Sequence, residues 1–597
     1  MCGIFGMYLN RPLTPEDVAR GERGTGMLAH RGPDGAGYWQ DADAGIFFGH
    51  RRLAIIDPTA ASDQPMRRQA VTICYNGELY NYVEIREALR QQGRVFDTSG
   101  DTEVLLQAYL AWGKAAFRRF DGMFALALWD GGSLTLACDP FGEKPLYWLQ
   151  REEGIYFASE AQVLINLFRL DFDAAPETLT TFLVLGYLPG ANTGYPGLKA
   201  LSPASLAVFR RGQAPVIEKY WTPPEAHIGS GEPAILTEAE LDRIHDVLTE
   251  STRRRLRSDV PLGLFLSAGV DSTLVAAMIA KDCGQAVTAF TVAFPDGADE
   301  TGAAGAIARH FGLPHVVVDS HADESWRDAP GELSRLYGVP NDNFTAWSVR
   351  LMSRLARQHM TVALSGLGGD EIFFGYNKYM FLWRRQHAFA LPSWLTVLCL
   401  TASRLPGMPS GLRNALGYLQ GSEFDRFSLV KNPGLIGMLA ELTANMPDRA
   451  ALLTADAAPL FLKARNFDLQ YGLPGSYIPA IDRGSMRASL EVRTPFLSTA
   501  VLETVSSLDP RSLIAFGQKS VLRRLLARYL PPEMVDRPKQ GFVFPLDRYL
   551  RSAPDRLLVI PHLPSARVAE IWCRRRENAY APLAFRLKIL ENLVASI

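Results

Sequence analysis

Near residue 211 the sequence changes its rhythm, and no single sheet or bundle accommodates what lies on both sides. Before that point short apolar runs, such as 45–50, 71–75, 124–129, 133–138 and 155–158, are bounded by Gly, Asp and Pro turns, the pattern of strands. Two helical patterns, 82–92 and 102–112, interrupt them, and Asp101 is expected to cap the second. After residue 238 strand and helix signals alternate. Strands are predicted at 262–266, 287–294, 316–319 and 361–364, with helices over 274–281, 302–311 and 347–358. That βαβαβ order predicts a parallel, doubly wound sheet. Beyond Tyr376 the chain reads as mostly helical. Between the two rhythms, the segment from Thr222 to Pro233 carries Pro, Gly and Ser with little apolar content, as linkers do. The expected division is a β-rich domain over 1–210, a linker over 211–238 and an α/β domain over 239–597. A chain of 597 residues is in any case too long for one core.

Composition excludes several classes. The chain is 47% hydrophobic and 21% charged, which is ordinary for a globular protein. Sixty-two Lys plus Arg against 63 Asp plus Glu leave a formal charge of −1, with no long-range pull on nucleic acid or an anionic membrane. The six cysteines, Cys2, Cys74, Cys138, Cys283, Cys399 and Cys573, form no CxxC pair, so a reducing, cytoplasmic compartment is expected. No export signal opens the chain. The longest apolar stretch, Ala388 to Ser403, is broken by Pro392 and falls short of the roughly 20 residues of a membrane span. It is expected to be a buried or interfacial helix pair. No His/Cys spacing suggests zinc, and the basic run Arg253-Arg254-Arg255 with Arg257 is expected to be a solvated helix end.

Cys2 follows the initiator Met, and because Cys is small, Met removal is expected to leave it with a free α-amine. An amine of pKa about 8 beside a thiol of about 8.5 can act as the thiol's own general base. A thiolate attacking an amide also needs an oxyanion hole. Asn76, through its side-chain amide, and Gly77, through an unobstructed backbone N–H, suit that role. A free amino acid needs a cation for its carboxylate, for which Arg52 is suited, and carboxylates for its ammonium, for which Glu78 and Asp101 are suited.

These residues sit in a recognisable order. The runs are Cys2-Gly3-Ile4, Arg31-Gly32-Pro33-Asp34-Gly35, His50-Arg51-Arg52-Leu53-Ala54-Ile55-Ile56-Asp57, Tyr75-Asn76-Gly77-Glu78-Leu79, Gly100-Asp101-Thr102-Glu103 and Asp139-Pro140-Phe141-Gly142-Glu143-Lys144-Pro145. Across about the first 165 residues the set resembles the class II, N-terminal-nucleophile glutamine amidotransferases. The resemblance implies a four-layer αββα domain that hydrolyses glutamine through a thioester on Cys2, with Leu53, Ala54, Ile55 and Ile56 joining Arg52 around the glutamine. Cys138 departs from the family, which commonly has Arg there.

In the second half, Ser267-Ala268-Gly269-Val270-Asp271-Ser272-Thr273 follows a predicted strand and opens a helix, an arrangement that can cradle anions. It is not a Walker loop. A second such turn, Ser365-Gly366-Leu367-Gly368-Gly369-Asp370-Glu371, follows another strand. Two such turns could hold a nucleotide and Mg²⁺ between them. The first resembles the pyrophosphate loop of ATP pyrophosphatases, with Ala268 for the usual Gly. With Gly517-Gln518-Lys519-Ser520, Asp482-Arg483-Gly484-Ser485, Glu491-Val492-Arg493-Thr494 and Asp536-Arg537-Pro538-Lys539-Gln540-Gly541-Phe542, both loops resemble asparagine synthetase along essentially the whole chain.

That resemblance implies ATP contacts from Leu266, Ser267, Ala268, Gly269, Val270, Asp271, Ser272, Val292, Ser365 and Gly366. It implies Mg²⁺ on Asp271 and Asp370, and Lys519 neutralising phosphate charge. The expected reaction is amidation of a carboxylate through an acyl-adenylate, with an internal apolar passage for ammonia. The family often forms homodimers. Leu367 departs from it, standing where asparagine synthetases place Glu, and leucine can accept neither a proton nor a hydrogen bond. The segment Val339 to Thr345 lacks a cation where the aspartate-recognising stretch should lie. The expected acceptor is aspartate, with another carboxylate, such as a sugar uronic acid, a peptide or a secondary-metabolite acid, as the alternative that Leu367 suggests. With both sets of loops intact, a non-catalytic scaffold is disfavoured.

Overall fold

The computed structural model describes residues 2–293, 300–319, 325–389, 415–419, 421–436, 438–444, 458–535, 544–554 and 559–594, together with 395, 398, 401, 402, 446, 452 and 453. Phe294, most of 388–403 and the run 536–542 lie outside the described residues.

Twelve strands build the first half: β1 (Gly3–Leu9), β2 (Gly35–Asp41), β3 (Ile46–Arg52), β4 (Met66–Arg68), β5 (Val71–Leu79), β6 (Gly122–Trp129), β7 (Leu134–Cys138), β8 (Tyr147–Arg151), β9 (Gly154–Ala158), β10 (Leu198–Ala200), β11 (Ser205–Phe209) and β12 (Val216–Lys219). They form two antiparallel sheets, ordered β10-β8-β9-β1-β3-β2 and β12-β11-β7-β6-β5-β4. Alternation explains the layering. Ile4 and Tyr8 of β1 enter a core shared with Ala125, Ala127 and Leu136 of the facing sheet, while Phe5, Met7 and Leu9 pack on the other side with Val163 and Leu164 of helix Ala161–Phe168. The second sheet is covered in turn by helices Tyr82–Arg90 and Asp101–Trp112, through Ile85, Leu89, Val104 and Leu105. The result is α, β, β, α.

The expected linker is partly structured. Strand β12 pairs with β11, so the sheet runs on to Lys219. Beyond it, Trp221 donates from its indole nitrogen to Glu503 at 2.9 Å, and the Gly229 N–H to Asp509 at 3.2 Å. Helix Glu238–Arg255 then begins in a capping box formed by Thr237 and Glu240.

The second half holds a parallel sheet of β13 (Leu262–Phe265), β14 (Thr288–Ala293), β15 (His315–Asp319), β16 (Val362–Leu364) and β17 (Glu491–Arg493), ordered β15-β14-β13-β16-β17. From β13 the chain winds outward through β14 and β15, then returns to the other side of β13 as β16. Ligands of such sheets gather at the carboxyl ends of the strands where the winding reverses, here between β13 and β16. Among the described residues, no helix is long and apolar enough to cross a membrane.

The basic run corrects an expectation. Arg255 is fully buried, donates to the Leu497 carbonyl at 2.7 Å and lies 4.3 Å over the Tyr80 ring. Arg254 pairs with Asp121 at 3.1 Å, and Arg257 forks onto Glu84 at 2.7 and 2.8 Å. These arginines clasp the first half to the second, because their partners lie across the junction; only Arg253 is a solvated helix residue.

Candidate functional site

Cys2 is buried where β1 begins. Its backbone nitrogen donates to Asn76 Oδ1 at 3.0 Å, its Sγ lies 3.9 Å from the Leu53 carbonyl, and Arg31 Nε donates to its carbonyl at 3.0 Å. Burial pushes the Cys2 thiol up, while the positive amino terminus pulls it back. Asn76 lies in β5, fully buried, and its Nδ2 has no hydrogen-bond partner among the described residues. A buried donor left unpaired is costly, and this one fits an oxyanion. At Gly77 a Cβ would stand 2.1 Å from the Met123 carbonyl, so β5 approaches β6 there as only glycine allows.

Asp101 is not the helix cap. Gly100 holds that position, and Asp101 turns inward to accept from Tyr75 Oη at 3.0 Å and from the Leu79 N–H at 2.9 Å. Glu78 is buried, 3.6 Å from Arg493, and burial with Glu491 and Asp101 nearby pushes its carboxyl up. Arg52, the expected partner of a substrate carboxylate, lies at the base of the neighbouring loop. Its guanidinium donates to the carbonyls of Asp57 and Thr59 and to Asp63, pinning the loop that carries Leu53, Ala54, Ile55 and Ile56. Within that loop Leu53, Ile55 and Ile56 are buried, and the Ala54 N–H donates to Asp34 at 2.9 Å.

In the second half the loops after β13 and β16 interlock. Ser267 Oγ meets Ser272 Oγ at 2.9 Å and accepts from the Gly269 N–H at 3.2 Å, closing a small hydroxyl knot. Helix Val270–Ala277 starts from Gly269 with no side-chain cap. A Cβ at Gly366 would meet Asp271 Cβ at 2.7 Å, and one at Gly369 would meet Asp271 Oδ1 at 2.8 Å. Leu266 is buried and half-buried Val292 lies one residue before the end of the neighbouring β14, while Ala268 is half-buried in the loop. The Ser365 N–H donates to the Arg493 carbonyl at 2.9 Å, tying this loop to β17.

Lys519 closes the arrangement. Held at φ 53° as the residue before helix Ser520–Leu526, it sets its ammonium between Asp271 and Asp370, 2.7 Å from the latter. Burial alone would lower its pKa, but the two carboxylates outweigh burial and raise it. Two carboxylates converging on one cation fit Mg²⁺, which is usually held by one or two protein carboxylates together with substrate phosphates. Among the described residues no third His, Cys, Asp or Glu joins them as a metal cluster.

Between the two centres lies a cavity. Glu143 and Lys144 line it from the turn after β7, Leu367 from the loop after β16, Val492 and Thr494 from β17 and its exit. Ile478, Ile481, Asp482 and Ser485 of helix Ile478–Met486 complete it. The lining mixes apolar and polar side chains. Arg31 connects it to Cys2: the same guanidinium that holds the Cys2 carbonyl reaches Asp482 at 2.9 and 3.0 Å and Glu160 at 3.0 Å. The segment 339–345 does meet a cation, Arg586 of the last helix, 2.6 Å from Asp342. Sequence reasoning assigned no role to Arg31, Glu143, Asp482 or Arg493, although all four lie in the runs that carry the resemblance.

The chain is similar to known proteins over nearly its whole length. A glutamine amidotransferase domain family matches residues 1–221 and an asparagine synthase family residues 243–571. A Mycobacterium tuberculosis protein provisionally named a glutamine-hydrolysing asparagine synthetase is 34% identical over 564 residues, covering 89% of this chain and 84% of its own. Asparagine synthetase 1 of Bacillus subtilis, glutamine-hydrolysing by name, is 29% identical over 570 residues, 92% and 88% of the two chains. A fungal protein of Gibberella zeae named amidase chry2 is 27% identical over 418 residues, 64% and 60% of the two chains.

Proposed function

The chain belongs to the glutamine-hydrolysing asparagine synthetase family, and we propose that it converts aspartate to asparagine, with nitrogen drawn from glutamine at Cys2. The observation that carries this reading is Lys519, bridged between Asp271 and Asp370 where the winding of the sheet reverses.

At the first centre the Cys2 thiolate attacks the glutamine amide carbon, its proton taken by its own α-amine once Met1 is removed. Charge develops on the amide oxygen, and Asn76 Nδ2 and the Gly77 N–H stabilise it. Ammonia leaves, and water hydrolyses the thioester to glutamate. Glu78 and Asp101 receive the substrate ammonium, and Arg52 keeps the loop 53–56 in place around it.

At the second centre an acceptor carboxylate oxygen attacks the α-phosphorus of ATP and pyrophosphate departs. Leu266, Val292, Ser365 and Gly366 face the nucleotide, and the loop 267–272 offers its N–H and hydroxyl groups to phosphate oxygens. Mg²⁺ on Asp271 and Asp370 would add charge neutralisation there, and Lys519 is then free to follow the leaving pyrophosphate. Ammonia attacks the acyl-adenylate and AMP leaves. The junction cavity offers the nitrogen a route out of bulk water.

Leu367 favours a second reading, in which the acceptor is a different carboxylate. Pyrophosphate release from MgATP and glutamine, measured with and without L-aspartate while mass spectrometry identifies the amide, separates the two. Aspartate-dependent pyrophosphate with asparagine is expected. Glutamate release with no response to aspartate would transfer the activity to another acceptor. The work belongs in a reducing, cytoplasmic setting.

A further inference from the structure

When ammonia meets an acyl-adenylate, a C–N bond forms, the bond from carbonyl carbon to phosphate oxygen breaks, and AMP leaves with that electron pair. One proton must also leave the nitrogen, and a positioned base speeds the step. Leu367 occupies the loop position from which the family supplies a carboxylate, and it cannot accept that proton. A carboxylate nevertheless reaches the same cavity. Glu143 lines it together with Leu367, although it comes from the other half of the chain.

Glu143 is built into place. It is 4% exposed, and its Oε2 accepts the Thr494 hydroxyl at 2.5 Å. Its Oε1 is buried without a hydrogen-bond partner among the described residues. An ionisable oxygen buried with nothing to bind is costly unless something transient occupies it. Glu371, the buried carboxyl of the loop itself, does not line the cavity and accepts from Tyr376 Oη at 2.6 Å.

We propose that Glu143 Oε1 takes the proton that nitrogen sheds as the amide forms, doing from the glutaminase half what Leu367 cannot do from the synthetase loop. The proposal rests on the amidation reading above. Its surroundings suit the task. Burial pushes the Glu143 carboxyl up to about 7, Asp139 adds to the rise, and Arg255 and Lys144 oppose it. Among the described residues Tyr80 also lies near it, and Asp482 lines the same cavity. A base whose pKa lies near the working pH is well matched to proton transfer.

The test uses the full chain with L-aspartate, MgATP and either glutamine or ammonium chloride, from pH 6 to pH 9. Glu143→Gln keeps an oxygen for Thr494 and removes only the proton acceptor. At pH 7 it should form asparagine about a hundredfold more slowly from either nitrogen source, while glutamate release and first-turnover pyrophosphate release stay near wild type. The deficit should shrink towards pH 9, where other bases suffice. Adding Leu367→Glu to Glu143→Gln should recover much of the loss, since both positions line one cavity. If Glu143→Gln makes asparagine like wild type at pH 7, or if all three activities fall together, the proposal is wrong. A wild-type chain that releases no aspartate-dependent pyrophosphate would instead sink the aspartate reading on which it rests.

Discussion

On the proposed mechanism the Cys2 sulfur alone should separate glutamine use from amide synthesis. Cys2→Ala removes the sulfur and leaves the contacts of its backbone to Asn76 and Arg31, so glutamine-dependent synthesis should vanish while ammonia-dependent synthesis persists. Equal loss of both, in assays with glutamine and with ammonium chloride, would contradict this. Lys519→Gln should do the reverse: pyrophosphate release falls by about a hundredfold or more, as for other lost transition-state charges, and glutamate release continues. At this scale residue types were more legible than their geometry. Asn76 and Gly77 were singled out because an oxyanion hole demands particular donors. Asp101 was harder, since an acidic residue before a helix pattern looks like a cap, and the carbonyl partners of Arg52 are not visible in its own run.

The loops after β13 and β16 act as one element. Gly366→Ala would press a methyl group to 2.7 Å from Asp271 Cβ and 2.9 Å from the Ser272 N–H, forcing the loops apart. Overpacking of this kind costs about 1–3 kcal/mol. Here it should also abolish ATP-dependent pyrophosphate release, with glutamine hydrolysis untouched; a wild-type rate of release would mean the interlock is dispensable. Strands with an apolar run were readable, including β5, β6, β7 and β13–β16. Strand β17 was not. It is three residues long, Glu491-Val492-Arg493, and its charges are hidden by pairing with each other at 2.7 Å inside the protein. No alternation or composition announces such a strand. Strand β12 was missed for a related reason, since an exposed edge strand after a turn carries little apolar signal.

Across the whole molecule, the two halves are joined through a buried charge cluster of Arg31, Glu160, Asp482 and Arg483. Removing one member of a buried set leaves its partners uncompensated, which typically costs about 3–5 kcal/mol. Arg31→Met should therefore lower stability by that order in denaturant unfolding and raise the ratio of glutamate released to amide formed. An unchanged midpoint and ratio would show the junction lies elsewhere. The cluster also sets an acid limit. Arg483, His30 and Arg31 hold the Glu160 carboxyl below its ordinary value against its burial, and Arg31 and Lys144 do the same for Asp482. Because both folded values are depressed, this stability is fully present above the ordinary carboxylate range near pH 4 and is lost as pH falls below it. Unfolding followed from pH 7 to pH 3 should show that loss, and Asp482→Asn should reduce its steepness.

Loops whose chemistry resides in consecutive residues, at 50–57, 75–79, 267–272 and 365–371, could be found by reading along the chain, because backbone N–H groups and neighbouring side chains act where they stand in sequence. So could the division into a β-rich first half and a second half with a parallel sheet, because strand and helix periods are local. What could not be read is each pairing that joins distant segments. Arg31 and Asp482 are 451 positions apart, and nothing in either run names the other. The same holds for Glu143 and Leu367 lining one cavity and for Lys519 between Asp271 and Asp370. Such partners are chosen by packing and burial, which bring charges together only once the two halves have folded against each other.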